Sequence, residues 1–469
     1  MLKKSIIVLL FFALLLTAGC GTKGVDKQTA KLMQPIILNY WRVFDGEDAF
    51  KEIIAKYQQT HPNVKINYRK LRYDEYRQEL LEAFATDRGP DILSIHNTWL
   101  KEYQTKGFLA AMPDKIAMAY PVETGAIKKE LTWETRTNKT LSLNQIKNNF
   151  VDIVYKDVAI NVYDETNKKY TEKIYGLPLF VDTLAMYYNK DLFNNAGIAN
   201  PPEYWNREFQ QDVKKMTKQN NKGELIQSGV GLGGGSNIER CSDILSILMM
   251  QNGAEMMNNG GFVKFNIQPG DFKDKSYNPG LDALRFYTDF ASPAKEVYSW
   301  NKSLDNSLDL FTQGRLAIMF GYSYMLPEIK ANAPKLNFSI AQLPQIEGNL
   351  ENINFANYWI EAVSQKSDNS DIAWDFVQFI TRPEQAKLYL QKAKKPTALR
   401  SLTEEQSEDR EIGIFTNQIL TAESWYQGIN AIAAETIIKD MIEEVITGKN
   451  TIEAAINLAA RKVQQTIEE

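Results

Sequence analysis

The sequence predicts an α/β protein with mainly parallel sheets flanked by helices, built around more than one core. Three observations carry this. The chain has 469 residues, and at ~150 residues per domain that length calls for two or three lobes. Hydrophobic residues make up 44% and aromatics 11% of it, enough to fill those lobes. From Ile36 onward strand-like and helix-like stretches alternate, and a β-α-β-α-β order builds a parallel sheet with helices on both faces.

The N-terminus is set apart from that pattern. Lys3 and Lys4 precede eleven apolar residues, Ile6 to Leu16, followed by "TAGC". The run is shorter than the ~20 residues that span a bilayer, whereas a charged start, apolar middle and small-residue exit describe a secretory signal over residues 1–19. "LTAGC" resembles the lipobox of bacterial lipoproteins, with Thr17 where Leu is usual, and this makes Cys20 the acylated first residue of a tether, 20–33. An acylated Cys20 leaves Cys241 without a disulfide partner, and its place before "SDILSILMM" predicts a buried small residue.

In "IILNYW" (Ile36 to Trp41) the first strand is expected. Phe50, Ile53, Ile54 and Tyr57 then fall at i, i+3, i+4, i+7 on one helix face. Pro62 breaks that helix, Val64, Ile66 and Tyr68 alternate as a half-buried strand, and "DILSI" restarts a third strand at Asp91. Between Tyr120 and Tyr175 the pattern loosens into an elaboration of the first lobe. There "ELTWETRTNKTLSLNQIKNN" reads as polar surface and "VAINVYDETNKKYTEKIYG" as two strands joined by a turn. "SLDLFTQGRLAIMF" reads as helix, Gly314 stop and strand; Thr381 and Glu384 are spaced as a capping box around Pro383. Two apolar stripes, Ile438, Met441, Ile442, Val445 and Ile452, Ala455, Ile456, Ala459, predict C-terminal helices.

Composition excludes several chemistries. With 54 basic against 58 acidic residues no polyanion-binding surface is expected, so nucleic acid is not a partner. Two histidines, His61 and His96, leave little for a histidine triad or a histidine-rich metal site, and His61 beside Pro62 is expected in solvent. "GVGLGG" (Gly229 to Gly234) fits G-x-G-x-x-G without clearly opening a helix, so a loop of close backbone approach is expected rather than a dinucleotide site. Adjacent Tyr187 and Tyr188 could chelate ferric iron, but neighbours on a strand face opposite ways. No metal and no cofactor is expected. What remains is aromatic: Trp41, Phe44, Trp99, Trp359 and Trp425 sit at element ends, where open α/β sheets bind ligands and where flat rings can stack on sugar C–H faces.

The ordered set "HPNVKINY", "GPDILSI", "IYGLPLFVDTLAMYYNKDLFNNAGI", "PPEYW", "LFTQGRLAIMF", "AQLPQ" and "AWDFVQFI" resembles the bacterial extracellular solute-binding proteins of family 1, from about Ile36 to Glu468. These are the capturing subunits of carbohydrate ABC importers and include the maltose-binding proteins. The resemblance implies a two-lobed periplasmic-binding-protein fold, type II-like, with hinge and interlobe cleft. Its N-terminal lobe would be 34–181 plus 355–400 and its C-terminal lobe 182–354 plus 401–469.

By the same resemblance, Trp41 to Asp45 matches a first binding loop with Trp41, Phe44 and Asp45 as ligand residues. His96 to Trp99 matches a loop offering Asn97 and Trp99, and Trp425 an aromatic platform. Asp182, a carboxylate inside the apolar "FVDTL", would accept hydrogen bonds from sugar hydroxyls at the hinge. Tyr322 would face the cleft, with Tyr324 as the alternative, and Trp359 is added as a binding or buried-strand residue. The expected function is capture of a sugar or oligosaccharide by hinge closure and delivery to a membrane permease, by a monomer anchored outside the cytoplasm through Cys20, without catalysis. The alternatives are a glycan-acting hydrolase, a sensor or adhesion lipoprotein, and an importer binder for iron, polyamine or peptide.

Overall fold

A computed structural model describes residues 30, 32–125, 129–270 and 276–468. The signal segment and Cys20 lie outside the described residues. Among the described residues no helix is long and apolar enough to cross a membrane.

Two cores form. The first packs residues from Ile36 to Val181 with Ala356 to Leu399, and it also takes Ile419 and Ala422. Its sheet runs, edge to edge, Val64–Leu71, Ile36–Val43, Ile92–His96, Trp359–Val363 and Leu177–Pro178. The predicted first helix is Lys51–Thr60, with Phe50, Ile53 and Tyr57 buried, and Pro62 lies just beyond its end. The second core packs Leu184 to Phe355 with Phe415 and Tyr426 to Val463. Its sheet runs Lys218–Gln219, Leu225–Val230, Leu316–Gly321, Ala185–Asn189 and Phe338–Ala341. Both C-terminal stripes are helical, Ala431–Ile446 and Ile452–Glu468, and Ile438, Met441, Ile442, Ala455, Ile456 and Ala459 are buried.

The α/β, two-lobed expectation holds, but the sheets are mixed rather than mainly parallel. Strands Ile36–Val43, Val64–Leu71 and Ile92–His96 pair in parallel, whereas Trp359–Val363 joins antiparallel to Ile92–His96 and Leu177–Pro178 antiparallel to it. In the second lobe Ala185–Asn189 is antiparallel to both neighbours. Trp359–Val363 and Ala185–Asn189 each follow directly on a strand of the sheet between the lobes, without the crossover that a parallel neighbour needs. Between the lobes, Ala422–Glu423, Asn354–Asn357 and Asp182–Thr183 form a small three-stranded sheet. Its strands come from three distant parts of the chain, so it is the place where the cores meet.

Local expectations were corrected in three places. The polar stretch from Glu130 is a ten-residue strand, Glu130–Lys139, paired antiparallel with Lys115–Thr124, and it leads into the capped helix Leu143–Asn149. Pairing with a neighbour stabilises a strand that has no apolar face to reveal it. His61 is buried, at 4% exposure, because that ribbon covers it: its ring lies 4.9 Å from Tyr120 and 4.6 Å from Tyr57, and Nε2 is 3.6 Å from the Asp375 carboxylate. The capping box at Thr381 does not form; Arg382 is the N-cap of Pro383–Ala393, and the Thr381 hydroxyl donates back to Val377 O at 3.1 Å.

Cys241 is buried as expected, its thiol pushed up to about 12 by burial. The glycine-rich stretch begins at the end of strand Leu225–Val230 and runs into the loop after it, a place of close packing: a Cβ on Gly229 would lie 2.3 Å from Val213 O, and one on Gly233, at φ +103°, 2.7 Å from Ala291 N. The Tyr187 side chain is in the core and Tyr188 is half-buried, as alternation requires.

Candidate functional site

The hinge sheet floors a cleft between the lobes. Two hollows of about 710 and 800 Å³ meet there, sharing Tyr73, His96, Arg240 and Asn357. The larger is walled by Phe44, Tyr73 and Trp359 of the first lobe and Tyr324 of the second. The smaller is walled by Trp99 opposite Trp425, with Ser424 and Ile438.

Local structure explains why these rings gather. Strand Ile92–His96 ends at His96, whose Nδ1 lies 2.8 Å from the Thr98 hydroxyl, and the one-turn helix Asn97–Trp99 turns Trp99 inward. Trp359 opens the neighbouring antiparallel strand opposite His96, so its ring lands 5.5 Å from both Trp99 and Phe44. Trp425 follows hinge strand Ala422–Glu423 and is held by an indole N–H donated to Ser246 Oγ at 3.1 Å.

Two cations face this space, and both already hold carboxylates. Arg240 forks onto Asp243, with Nε and Nη2 each 2.9 Å from its oxygens, and approaches Glu435 at 3.7 Å. Asp243 also accepts the Tyr322 hydroxyl at 2.6 Å. Burial works against the Glu435 carboxylate, but Arg240 and Lys439 outweigh it and hold its pKa below the usual range. Lys395 reaches Asp45 at 3.0 Å. Burial first, and then Arg240, pushes His96 down to about 4, so a neutral imidazole lines the cleft at neutral pH.

Asp182 sits in the hinge sheet, buried. Its oxygens accept from Ser323 Oγ at 2.7 Å, Ser323 N at 3.2 Å and Thr183 N at 2.9 Å. These bonds explain a carboxylate inside an apolar stretch: it ties the hinge to the turn that follows strand Leu316–Gly321. Burial raises its pKa to about 6, against the donors from Ser323 and the nearby Lys395. The folded value lies above the unfolded ~3.9, so the stabilisation from this proton is full below about pH 4 and is lost as pH rises through about 6. Asp182→Asn, which stays neutral, should therefore gain on the parent by up to about 2–3 kcal/mol between pH 4 and 7. Urea unfolding across that range checks it, and a pH-independent difference would contradict it.

Of the expected site residues, Phe44, Trp99, Asp182, Trp359 and Trp425 line the cleft. Four others are placed elsewhere. Trp41 lies outside the lining, its ring covered by the Arg69 guanidinium at 4.7 Å, because strand alternation turns it away from the buried side of Tyr40. Asp45 is buried in an ion-paired network with Arg42 and Lys395. Asn97 gives its amide to Asp157 at 3.0 Å and borders a separate hollow with Lys101, Asn161 and Gln427. Tyr322 is fully buried on Asp243, and Tyr324, stacked on it at 5.8 Å, is the tyrosine that faces the cleft. Tyr73 and the Arg240–Asp243–Glu435 cluster were missed. Their one local signal is the i, i+3 spacing of Arg240 and Asp243 at the start of helix Cys241–Gln251.

Two lobes joined by a shared sheet, with a ring-lined cleft between them, define a two-lobed binding protein. The chain belongs to the bacterial extracellular solute-binding protein family, whose model matches residues 45–387. It is 23% identical over 418 residues to a galactooligosaccharide-binding protein of Bacillus subtilis, covering 86% of this chain and 82% of that one. It is also 23% identical over 457 residues to an sn-glycerol-3-phosphate-binding periplasmic protein of Yersinia enterocolitica, covering 92% and 93%. Among solved structures, a cyclic alpha-maltosyl-1,6-maltose binding protein from Arthrobacter globiformis shares the fold at a TM-score of 0.70 and 19% identity, over 92% of this chain and 99% of that one.

Proposed function

We propose that this chain captures a neutral sugar, most naturally an oligosaccharide, and hands it to a membrane permease of an ABC importer. The observation that carries the reading is the character of the cleft. Aromatic rings wall both sides, and the two cations among its lining residues are already neutralised by Asp243, Glu435 and Asp45. With Asp182 and Glu239 also lining it, the space favours neither phosphate nor carboxylate, since an anion would find no free cation and several acidic neighbours. Aromatic faces and hydrogen-bonding rims suit an uncharged polyol. The relative that binds glycerol phosphate therefore shares the family rather than the ligand.

Sugar meets one wall, the hinge sheet bends, and the other wall closes. Only a ligand with higher affinity for the closed form shifts that equilibrium. The chain acts as a monomer, and acylation at Cys20 keeps it at the outer face of a membrane beside its permease. The reading is of binding without catalysis: of the carboxylates that line the cleft, Asp182 is engaged by Ser323 and Thr183, and Asp243 and Glu435 by Arg240.

Thermal unfolding against maltotetraose, galacto-oligosaccharides, tagatose and sn-glycerol 3-phosphate tests this. A neutral sugar at 100 times its dissociation constant should add about 2.7 kcal/mol of stability and glycerol phosphate none. Stabilisation by glycerol phosphate alone would overturn the ligand class.

A further inference from the structure

Phe44 is the central residue of a γ-turn: its φ is +67°, and Asp45 N donates to Val43 O at 2.8 Å. The positive-φ form of this turn is rare and strained for a residue with a Cβ, and such strain persists only where surrounding contacts impose it. Here the hydrogen bonds and ion pairs that hold the turn fall on the next residue. The Asp45 carboxylate accepts from Arg42 at 2.9 Å, from the Tyr389 hydroxyl at 2.9 Å and from Lys395 at 3.0 Å, while its carbonyl accepts the Tyr68 hydroxyl at 2.7 Å. Arg42 is locked in turn by Glu361 at 3.0 Å.

What this anchoring leaves projecting is the Phe44 ring, 45% exposed at the mouth of the cleft. It stacks on Tyr73 at 5.5 Å and 24°, and it faces Tyr324 of the other lobe, also 45% exposed, at 6.5 Å and 12°. Tyr324 stacks on Tyr322 at 5.8 Å and 17°. Four nearly parallel rings thus form a column across the cleft, and the widest spacing is the one where the lobes meet.

We propose that Phe44 and Tyr324 form a two-sided clamp on one ring of the sugar, and that Asp45 is a positioning residue whose buried ion pairs force Phe44 into the strained turn that presents it. The proposal rests on the sugar reading of the cleft. At 6.5 Å the two faces stand closer than the about 7–8 Å, two carbon–carbon contacts of about 3.5–4 Å, that a sugar ring between them requires, so the lobes part to admit the sugar and close again with one face on each of its C–H surfaces. Asp45 touches no ligand; it acts through Phe44.

A double-mutant cycle in the full chain tests this, with calorimetric titration against the neutral sugars named above. Phe44→Ala should weaken binding about tenfold, Asp45→Asn by a similar factor, and the double variant no further than the worse single. If the two losses multiply, Asp45 does not act through Phe44 and the positioning role falls, while sugar binding stands. Tyr389→Phe, which removes a single bond to Asp45 at nearly constant volume, gives the same cycle should Asp45→Asn fail to fold.

A second arm needs no sugar. In protein labelled with 5-fluorotryptophan, the Trp359 resonance, identified by its loss in Trp359→Phe, reports the Phe44 ring packed edge-on at 5.5 Å. Asp45→Asn should shift it as Phe44→Ala does, with no additional shift in the double variant; an unmoved resonance in Asp45→Asn overturns the positioning. If the unaltered chain binds no neutral sugar, the clamp falls with the sugar reading, and the resonance still decides whether Asp45 sets the turn.

Discussion

Replacing Arg42 with methionine is expected to lower the unfolding free energy by about 3–5 kcal/mol, the usual cost of removing one partner from a buried ion pair. Arg42 is 1% exposed and Glu361 0%, and the guanidinium bridges Glu361 and Asp45 while donating to the Tyr40 and Tyr389 hydroxyls. Without it, Glu361 keeps only the Tyr40 and Ser94 hydroxyls, at 2.7 and 3.2 Å, inside the first core.

The pH dependence identifies the cause. Burial already raises the Glu361 pKa against the pull of Arg42, and losing that pull raises it further. A carboxyl whose folded pKa exceeds its unfolded value gains stability as pH falls. The deficit of Arg42→Met should therefore shrink between pH 7 and pH 5 in urea unfolding followed by tryptophan emission. A loss below about 1 kcal/mol at pH 7, or a deficit that grows on acidification, would contradict the account.

Trp425→Ala is expected to weaken sugar binding by about 30-fold, or about 2 kcal/mol, the scale of a tryptophan at the centre of a contact. The half-buried indole stands opposite Trp99 across the smaller hollow, its N–H fixed by Ser246 and its edge set by Tyr426 at 5.5 Å. A preset ring costs little ordering when a sugar stacks on it. Ser246→Ala, which frees the ring without removing it, should cost less than Trp425→Ala. Titration of both variants decides the matter: affinity within threefold of the parent in Trp425→Ala would remove the platform from the site.

What the sequence made legible follows from the range of the forces involved. Phe50, Ile53 and Tyr57, or Ile438, Met441 and Ile442, announce their helices because burial repeats with the helical period. The rings of the cleft were also legible, since Phe44, Trp99, Trp359 and Trp425 stand at element ends. Illegible were the roles set by distant partners. Asp45 reads as a loop carboxylate ready for a ligand, yet its partner Lys395 lies 350 positions away. Nothing near Asn97 announces Asp157, and nothing near His61 announces the ribbon that buries it. Trp41 is one strand step from the buried Tyr40 and so points the other way, and Tyr322 and Tyr324 stand in the turn after strand Leu316–Gly321, where only the distant Asp243 shows which of them is held in the core.

Capture of an uncharged sugar by closure of the cleft, as proposed, would make the molecule more compact. Small-angle scattering, with the protein free and then saturated with the neutral sugar that gives the largest thermal stabilisation, tests it most directly. A smaller radius of gyration is expected in the saturated protein, with no change on adding sn-glycerol 3-phosphate. An unchanged radius with bound sugar, or compaction by glycerol phosphate instead, would contradict it.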